Sequence, residues 1–255
     1  MASTRLPGKV LLPIEGRPVL WHIVNRLRAV PQVHDVVIAT GDRVPDDPIE
    51  SFAHDAGIAC FRGSEDDVLD RFYQAARTFR GDPVVRVTAD CPLIDPQLVS
   101  AVVALYETTR PTPDLVSVAT GAGVANAGFR EARFPDGLDA EVIGMSALTQ
   151  AWNEANRPSD REHVTAFIWR QPGRFAIRHL TSQAGDLSEL RWTLDHPEDF
   201  EMITRIYDAL YQGNRCFGAA DVLAFLRAHP EVSAINAHLR GKEGYSAFWQ
   251  EAVDA

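Results

Sequence analysis

Cysteine is scarce in this chain: Cys60, Cys91 and Cys216 are an odd number with neither a CxxC nor a paired spacing, so no disulfide framework or zinc site is implied. A continuous apolar run of membrane length is missing too, although 45% of the 255 residues are hydrophobic, which predicts a soluble, globular protein with a sizeable core. The first ten residues hold no apolar stretch like that of a signal peptide, and a cytoplasmic location, away from membranes, is expected. Positive charge is in short supply. With 25 Lys and Arg against 35 Asp and Glu the formal net charge is −10, which argues against a general nucleic-acid binder, because phosphate neutralisation needs a basic surface. There is no GxSxG elbow, no Walker GxxxxGK[ST] and no GxGxxG, which removes the usual signs of a serine hydrolase, a P-loop enzyme and a dinucleotide-binding fold.

What is present is an alternation of strand and helix signals. Val19, Leu20, Ile23, Val24 and Leu27 fall on one face at helical spacing and predict a first helix in PVLWHIVNRLRAV. A strand over 35–40, a helix ending at Gly57, a strand over 58–61 and a helix with Ser64 as N-cap follow. PVVRVTADCPLI predicts another buried strand and its turn, then come a helix over 96–106 and a strand over 114–119. This rhythm predicts an α/β fold, a mostly parallel central sheet with helices on both faces. It breaks after Thr120, where a Gly-rich and then alternating stretch predicts an inserted β-ribbon over 121–143. Helices are expected in SALTQAWNEAN and SDREHVTAFIWR, strands over 175–180 and 191–195, and a helix opening at Pro197. The whole chain, 1–255, is expected to be a single domain with a C-terminal helical extension over about 212–255.

In an open sheet, ligands bind beyond the carboxyl ends of the strands. Ser3, Thr4, Arg5, Leu6, Pro7, Gly8 and Lys9 make a basic turn whose backbone N–H groups and cations can cradle phosphate, or which is simply a solvated terminus. Asp90, directly after an apolar strand, can hold Mg²⁺ or cap the turn that follows. Asp195 has the same placement and can serve as metal ligand, as N-cap, or as both. Arg62, Gly63 and Ser64 can approach a base or ribose, or form an acidic helix start without a ligand. Asp136, Asp139 and Glu141 with Arg161, Glu162 and His163 form a polar set able to bind a polyhydroxylated or anionic acceptor, although a histidine within a helix is often a surface residue.

Taken together, STRLPGKVL, FRGSEDDVLDR, RVTADCPLID, FPDGLDAEV, SDREHVT and RWTLDHPEDF, in this order and spacing, resemble the sugar cytidylyltransferases. The similarity is greatest to the spore-coat polysaccharide biosynthesis branch, a relative of the CMP-Kdo and CMP-sialic acid synthetases, and runs from Ser3 to about Tyr211. It implies a Rossmann-related, GT-A-like fold of the nucleotide-diphospho-sugar transferases. It also implies transfer of CMP from CTP to a sugar or sugar-acid acceptor with release of pyrophosphate. By the same resemblance Arg5 and Lys9 are the catalytic cations, and Ser3, Arg62, Ser64 and Thr88 join them in binding the nucleotide. Asp90 and Asp195 hold Mg²⁺; Asp139, Glu141, Arg161 and His163 face the sugar. Thr88 stands where the sialate and Kdo enzymes tend to have glutamine. The resemblance further implies a homodimer, with residues 121–142 as the candidate contact. Family members begin with an apolar strand ending in Gln-Ala-Arg before the first loop; here Met1 stands where the residue after that arginine belongs, so a gap in the sheet is expected. The alternatives are a non-catalytic nucleotide-binding relative and a nucleotidyltransferase using another base.

Overall fold

The computed structural model describes residues 4–120, 129–212 and 216–240. Ser3, residues 121–128 of the expected ribbon and dimer contact, and residues 213–215 and 241–255 of the expected extension lie outside the described residues. No described helix is long and apolar enough to cross a membrane.

The chain starts with a single 3-10 turn, Lys9–Leu11, and a hairpin of Pro13–Ile14 (β1) and Arg17–Pro18 (β2). Helix α1 (Val19–Arg28) follows, burying Val19, Leu20, Ile23 and Val24 along one stripe. Next come β3 (Val37–Gly41), α2 (Asp47–Asp55), β4 (Ala59–Gly63) and α3 (Val68–Phe79). The N-cap of α3 is Asp67 rather than Ser64: the Asp67 carboxylate accepts from the Asp70 N–H at 2.9 Å, while the Ser64 hydroxyl accepts from the Asp67 N–H at 3.1 Å. After β5 (Val84–Val87) and α4 (Pro96–Thr108) come β6 (Leu115–Val118), β7 (Ala140–Ile143) and α5 (Met145–Glu154).

The stretch SDREHVTAFIWR, expected as one helix, is two short ones, α6 (Pro158–Glu162) and α7 (Ala166–Trp169), broken where Val164 takes φ 58°. Beyond β8 (Ile177–Leu180) lie α8 (Pro197–Leu210), α9 (Ala219–Ala228) and α10 (Pro230–Ala234). RWTLD is not a strand. Its backbone bonds go to loops instead of a ladder: Trp192 N–H to Asp136 O at 2.7 Å and Leu194 N–H to Asp90 O at 2.8 Å. The described part of the C-terminal extension is no appendage, since Phe217, Val222, Leu226 and Val232 enter the main core.

Two pieces make up the sheet. β3 and β4 pair in parallel, and four further strands lie in the order β5-β7-β6-β8, with β7 antiparallel to both neighbours and β6 parallel to β8. Among the described residues β3, β4, β5 and β8 each have a strand partner on one side only. The four-stranded piece is covered on both faces. Val116 and Val142 join Val99, Val102 and Ile203 of α4 and α8, whereas the adjacent Leu115 and Ile143 point the other way, into Leu69 of α3 and Leu148 of α5. A third cluster, with Leu20, Val24, Ile38, Ile49 and Ala53, seats α1 and α2 on β3.

All four residues of β6 are buried, whereas three of the four in β5 are only half-buried. Native-state hydrogen exchange should therefore show β5 amides opening well before those of β6, by about tenfold or more, as an edge strand with less burial requires. Equal protection in the two strands would contradict a sheet open at β5.

Candidate active site

The first loop is shaped by a glycine. Gly8 adopts φ 69°, which a residue without Cβ takes freely, and turns the chain into the 3-10 turn that buries Val10. This aims Lys9 at the far side of the fold. Its ammonium donates to Leu194 O and to Asp195 Oδ1, both at 2.7 Å, and stands 3.8 Å from Asp90 Oδ2. Arg5 comes within 3.3 Å of Asp195 Oδ2, with its side chain 40% exposed. Arg5, Lys9, Asp90 and Asp195 are thus gathered at one point.

Asp195 is positioned by a buried ion pair that sequence reasoning did not find. The Arg191 guanidinium grips Asp199 through Nε at 3.0 Å and Nη2 at 2.9 Å. Asp199 Oδ2 also accepts from the N–H groups of Asp195 and His196, at 3.0 and 2.9 Å. Asn236 closes the group by donating to Asp199 Oδ1 and Arg191 O. On the opposite side the Asp90 backbone oxygen accepts from Leu194 N–H and the Thr193 hydroxyl, which locks the two carboxylate-bearing segments together. Burial alone would raise the pKa of Asp195, but the charges of Lys9, Arg5 and Arg191 outweigh it and hold the carboxyl below its usual range. Thr88 donates its hydroxyl to Asp90 Oδ1.

Beside this point opens a small cleft lined by Arg86, Ser117, Asp139, Glu141, His163 and Thr165 among others. Strand register explains its floor. Val84, Ile143, Leu115 and Ile177 lie opposite one another as an apolar rung, and two residues along the same face Arg86, Glu141, Ser117 and His179 form a polar one. The polar rung is internally bonded: Arg86 Nη1 to Glu141 Oε2 at 2.6 Å, and Ser117 Oγ to His179 Nδ1 at 2.8 Å. Thr165 donates to Glu141 Oε1 at 2.9 Å from the α6–α7 break, the same break that brings His163 to the wall. Asp139 accepts from the Thr120 hydroxyl at 2.5 Å and the Gly137 N–H at 2.9 Å; burial lifts its carboxyl to a pKa of about 6 against the pull of these donors, with Asp90 and Glu141 adding repulsion.

Three expected residues stand elsewhere. Arg62 donates to Gly41 O, Arg43 O, Asp47 and Glu50, so its guanidinium ties β4 to β3 and α2. Ser64 serves the turn before α3. Arg161 clamps Asp67 at 2.9–3.0 Å through Nε and donates to Trp152 O at 2.8 Å, and it is not among the residues lining the cleft. The residues that sequence reasoning passed over, Arg86, Ser117 and His179, have a signal in hindsight: each is a polar residue inside an otherwise apolar strand, VVRV, LVSV and IRHL.

Cations and carboxylates thus meet beyond the strand ends, beside the cleft. A cytidylyltransferase of known structure from Leptospira borgpetersenii serovar Hardjo-bovis shares the fold with a TM-score of 0.81 and 27% identity, over 91% of this chain and 92% of that one. The family model for cytidylyltransferases matches residues 1–220, and the chain belongs to that family. The spore coat polysaccharide biosynthesis protein SpsF of Bacillus subtilis is 30% identical over 240 residues, 91% of this chain and 93% of its own length. A 3-deoxy-manno-octulosonate cytidylyltransferase of Nitratidesulfovibrio vulgaris is 34% identical over 167 residues, 63% of this chain and 61% of its own.

Replacing Asp199→Ala strands a buried guanidinium and should lower the unfolding free energy by about 3–5 kcal/mol in a denaturant titration. Asp139 gives a second expectation. Its folded-state pKa, about 6, lies above its unfolded value, so its contribution to stability falls as pH rises from about 4 to about 6. Asp139→Asn should remove that slope from a plot of melting temperature against pH; an unchanged slope would refute the assignment.

Proposed function

We propose that this cytidylyltransferase-family protein transfers CMP from CTP to a sugar hydroxyl and releases pyrophosphate, supplying an activated sugar for surface-polysaccharide or glycoconjugate synthesis. One observation carries the reading: Lys9 and Arg5 converge with Asp90 and Asp195 at a single point next to a cleft. Nucleotidyl transfer asks a protein mainly to align the reactants and to neutralise charge spreading over the phosphates. Lys9 and Arg5 are the donors that would bind the triphosphate and stabilise the departing pyrophosphate. The Asp90 and Asp195 carboxylates both face the Lys9 ammonium, and a pair of hard oxygen donors suits Mg²⁺, which when bound would neutralise phosphate charge. Thr88 holds the Asp90 carboxylate by its hydroxyl. The cleft floored by Glu141 and edged by Asp139 and His163 would take the acceptor.

CTP with Mg²⁺ should raise the melting temperature by very roughly 2–4 °C at about a hundred times its dissociation constant, and UTP should do so less. Lys9→Met should lower the rate of pyrophosphate release by about 10²–10³ while leaving the fold cooperative. Equal shifts with CTP and UTP would overturn the base assignment, and an undiminished rate in the variant would overturn the role of Lys9.

A further inference from the structure

The segment 216–240 reaches both loops that carry Asp90 and Asp195, although most of it lies past residue 220, where the match to the family model ends. At its start the Ala219 N–H donates to Asp95 Oδ2 at 2.7 Å, and Phe217 O accepts from Arg26 Nη2 at 2.7 Å. Arg26 Nε in turn donates to Ile94 O at 2.8 Å. The turn that follows Asp90 is thereby tied to the opening of α9. At the other end Asn236, 2% exposed, donates from Nδ2 to Asp199 Oδ1 at 2.8 Å and to Arg191 O at 3.0 Å.

An asparagine side chain commonly bonds backbone close to itself in sequence. Both bonds of this Nδ2 go instead to groups 37 and 45 residues away, on the segment that presents Asp195. Being neutral, the amide adds donors without disturbing the charge balance of Arg191 with Asp199. With Asp199 Oδ1 engaged by Asn236 and Arg191 Nε, Oδ2 is turned to Arg191 Nη2 and to the N–H groups of Asp195 and His196. Loss of the amide would free the Asp199 carboxylate to rotate, and the Asp195 backbone would lose its fixed acceptor.

We propose, resting on the metal role given above to Asp90 and Asp195, that Asn236 is a positioning residue for the reaction. Residues 217–240 form a clasp that sets the spacing of the two carboxylates, and Asn236 acts through Asp199 to hold Asp195 ready for a divalent cation. Groups that orient a ligating carboxylate typically contribute about 10–100-fold to metal affinity.

The test titrates Mn²⁺ into the full chain without nucleotide, following the free ion by electron paramagnetic resonance, and measures CTP binding by calorimetry over a range of Mg²⁺ concentrations. Asn236→Leu removes the donor at similar size and should weaken Mn²⁺ binding about tenfold or more, while saturating Mg²⁺ restores CTP affinity to within about threefold of the parent protein. Asn236→Ser keeps a shorter donor, should shift Mn²⁺ affinity in the same direction, and answers the question if the leucine variant does not fold. Leu148→Ala, which opens a cavity on the other face of the sheet, should lower the melting temperature yet leave Mn²⁺ affinity within about twofold, as expected of an independent site. Unchanged Mn²⁺ affinity in a folded Asn236 variant, or an equal loss in Leu148→Ala, would overturn the proposal. The two levels separate in the unsubstituted chain: failure to bind both Mn²⁺ and CTP sinks the parent reading, whereas binding of both that is indifferent to Asn236 sinks this one alone.

Discussion

Everything at the candidate site depends on one buried ion pair, Arg191 with Asp199, whose side chains are 1% and 0% exposed. Two charges taken out of water are tolerated only when the remaining donors and acceptors find partners. Asp199 meets this by accepting from both guanidinium nitrogens, two backbone N–H groups and Asn236. The consequence is positional. The segment 191–196 has no ladder to hold it, yet its path is fixed beside Asp90, and Asp195 is presented to Lys9. Gly137 shows how tight the fit is: at φ +99°, an added Cβ would lie 2.4 Å from the Thr193 backbone nitrogen. Backbone from the FPDG turn thus approaches 191–195 more closely than any other residue type allows.

The second constraint is the polar rung. A sheet face covered by helices ordinarily stays apolar, as the rung Val84, Ile143, Leu115 and Ile177 does. Two residues along, Arg86, Glu141, Ser117 and His179 carry charge and hydrogen bonds into the same face. Such groups are costly when unpaired and rigid when satisfied. Here they pair along the rung, and the covering chain breaks between α6 and α7 at the same place, so that a recess is left above them. The strained Val164 φ and the polar floor therefore serve one purpose, which is to keep a cleft where a helix would otherwise lie.

Local periodicity made most elements legible. The stripes of α1 and α3, the β-branched runs of β3 and β6 and the prolines opening α4 and α8 all report on short-range physics, and the structure follows them within a few residues. Long-range pairing was not legible. RWTLD has the composition of a strand, but its hydrogen-bond partners lie in loops far away in the chain. Arg62 follows the apolar run of 58–61 as a ligand-binding arginine would, yet it lies within β4 and Asp47 and Glu50 in the first turns of α2 claim it. The break at Val164 has no sequence signal either, since a β-branched residue is among the least suited to positive φ.

Charge accounting joins these parts. The chain is acidic overall, at −10, and at the candidate site Arg5 and Lys9 face Asp90 and Asp195, two positive charges against two negative. A triphosphate meeting this point finds no surplus of positive charge. If Lys9 turns to the phosphates, Asp90 and Asp195 lose the ammonium that now faces them, although Asp195 keeps Arg5 at 3.3 Å and Arg191, shared with Asp199, at 3.5 Å. A carboxylate that loses its cation is unfavourable beside a polyanion. In the proposed chemistry a divalent cation held by Asp90 and Asp195 would neutralise these carboxylates and leave Lys9 for the nucleotide.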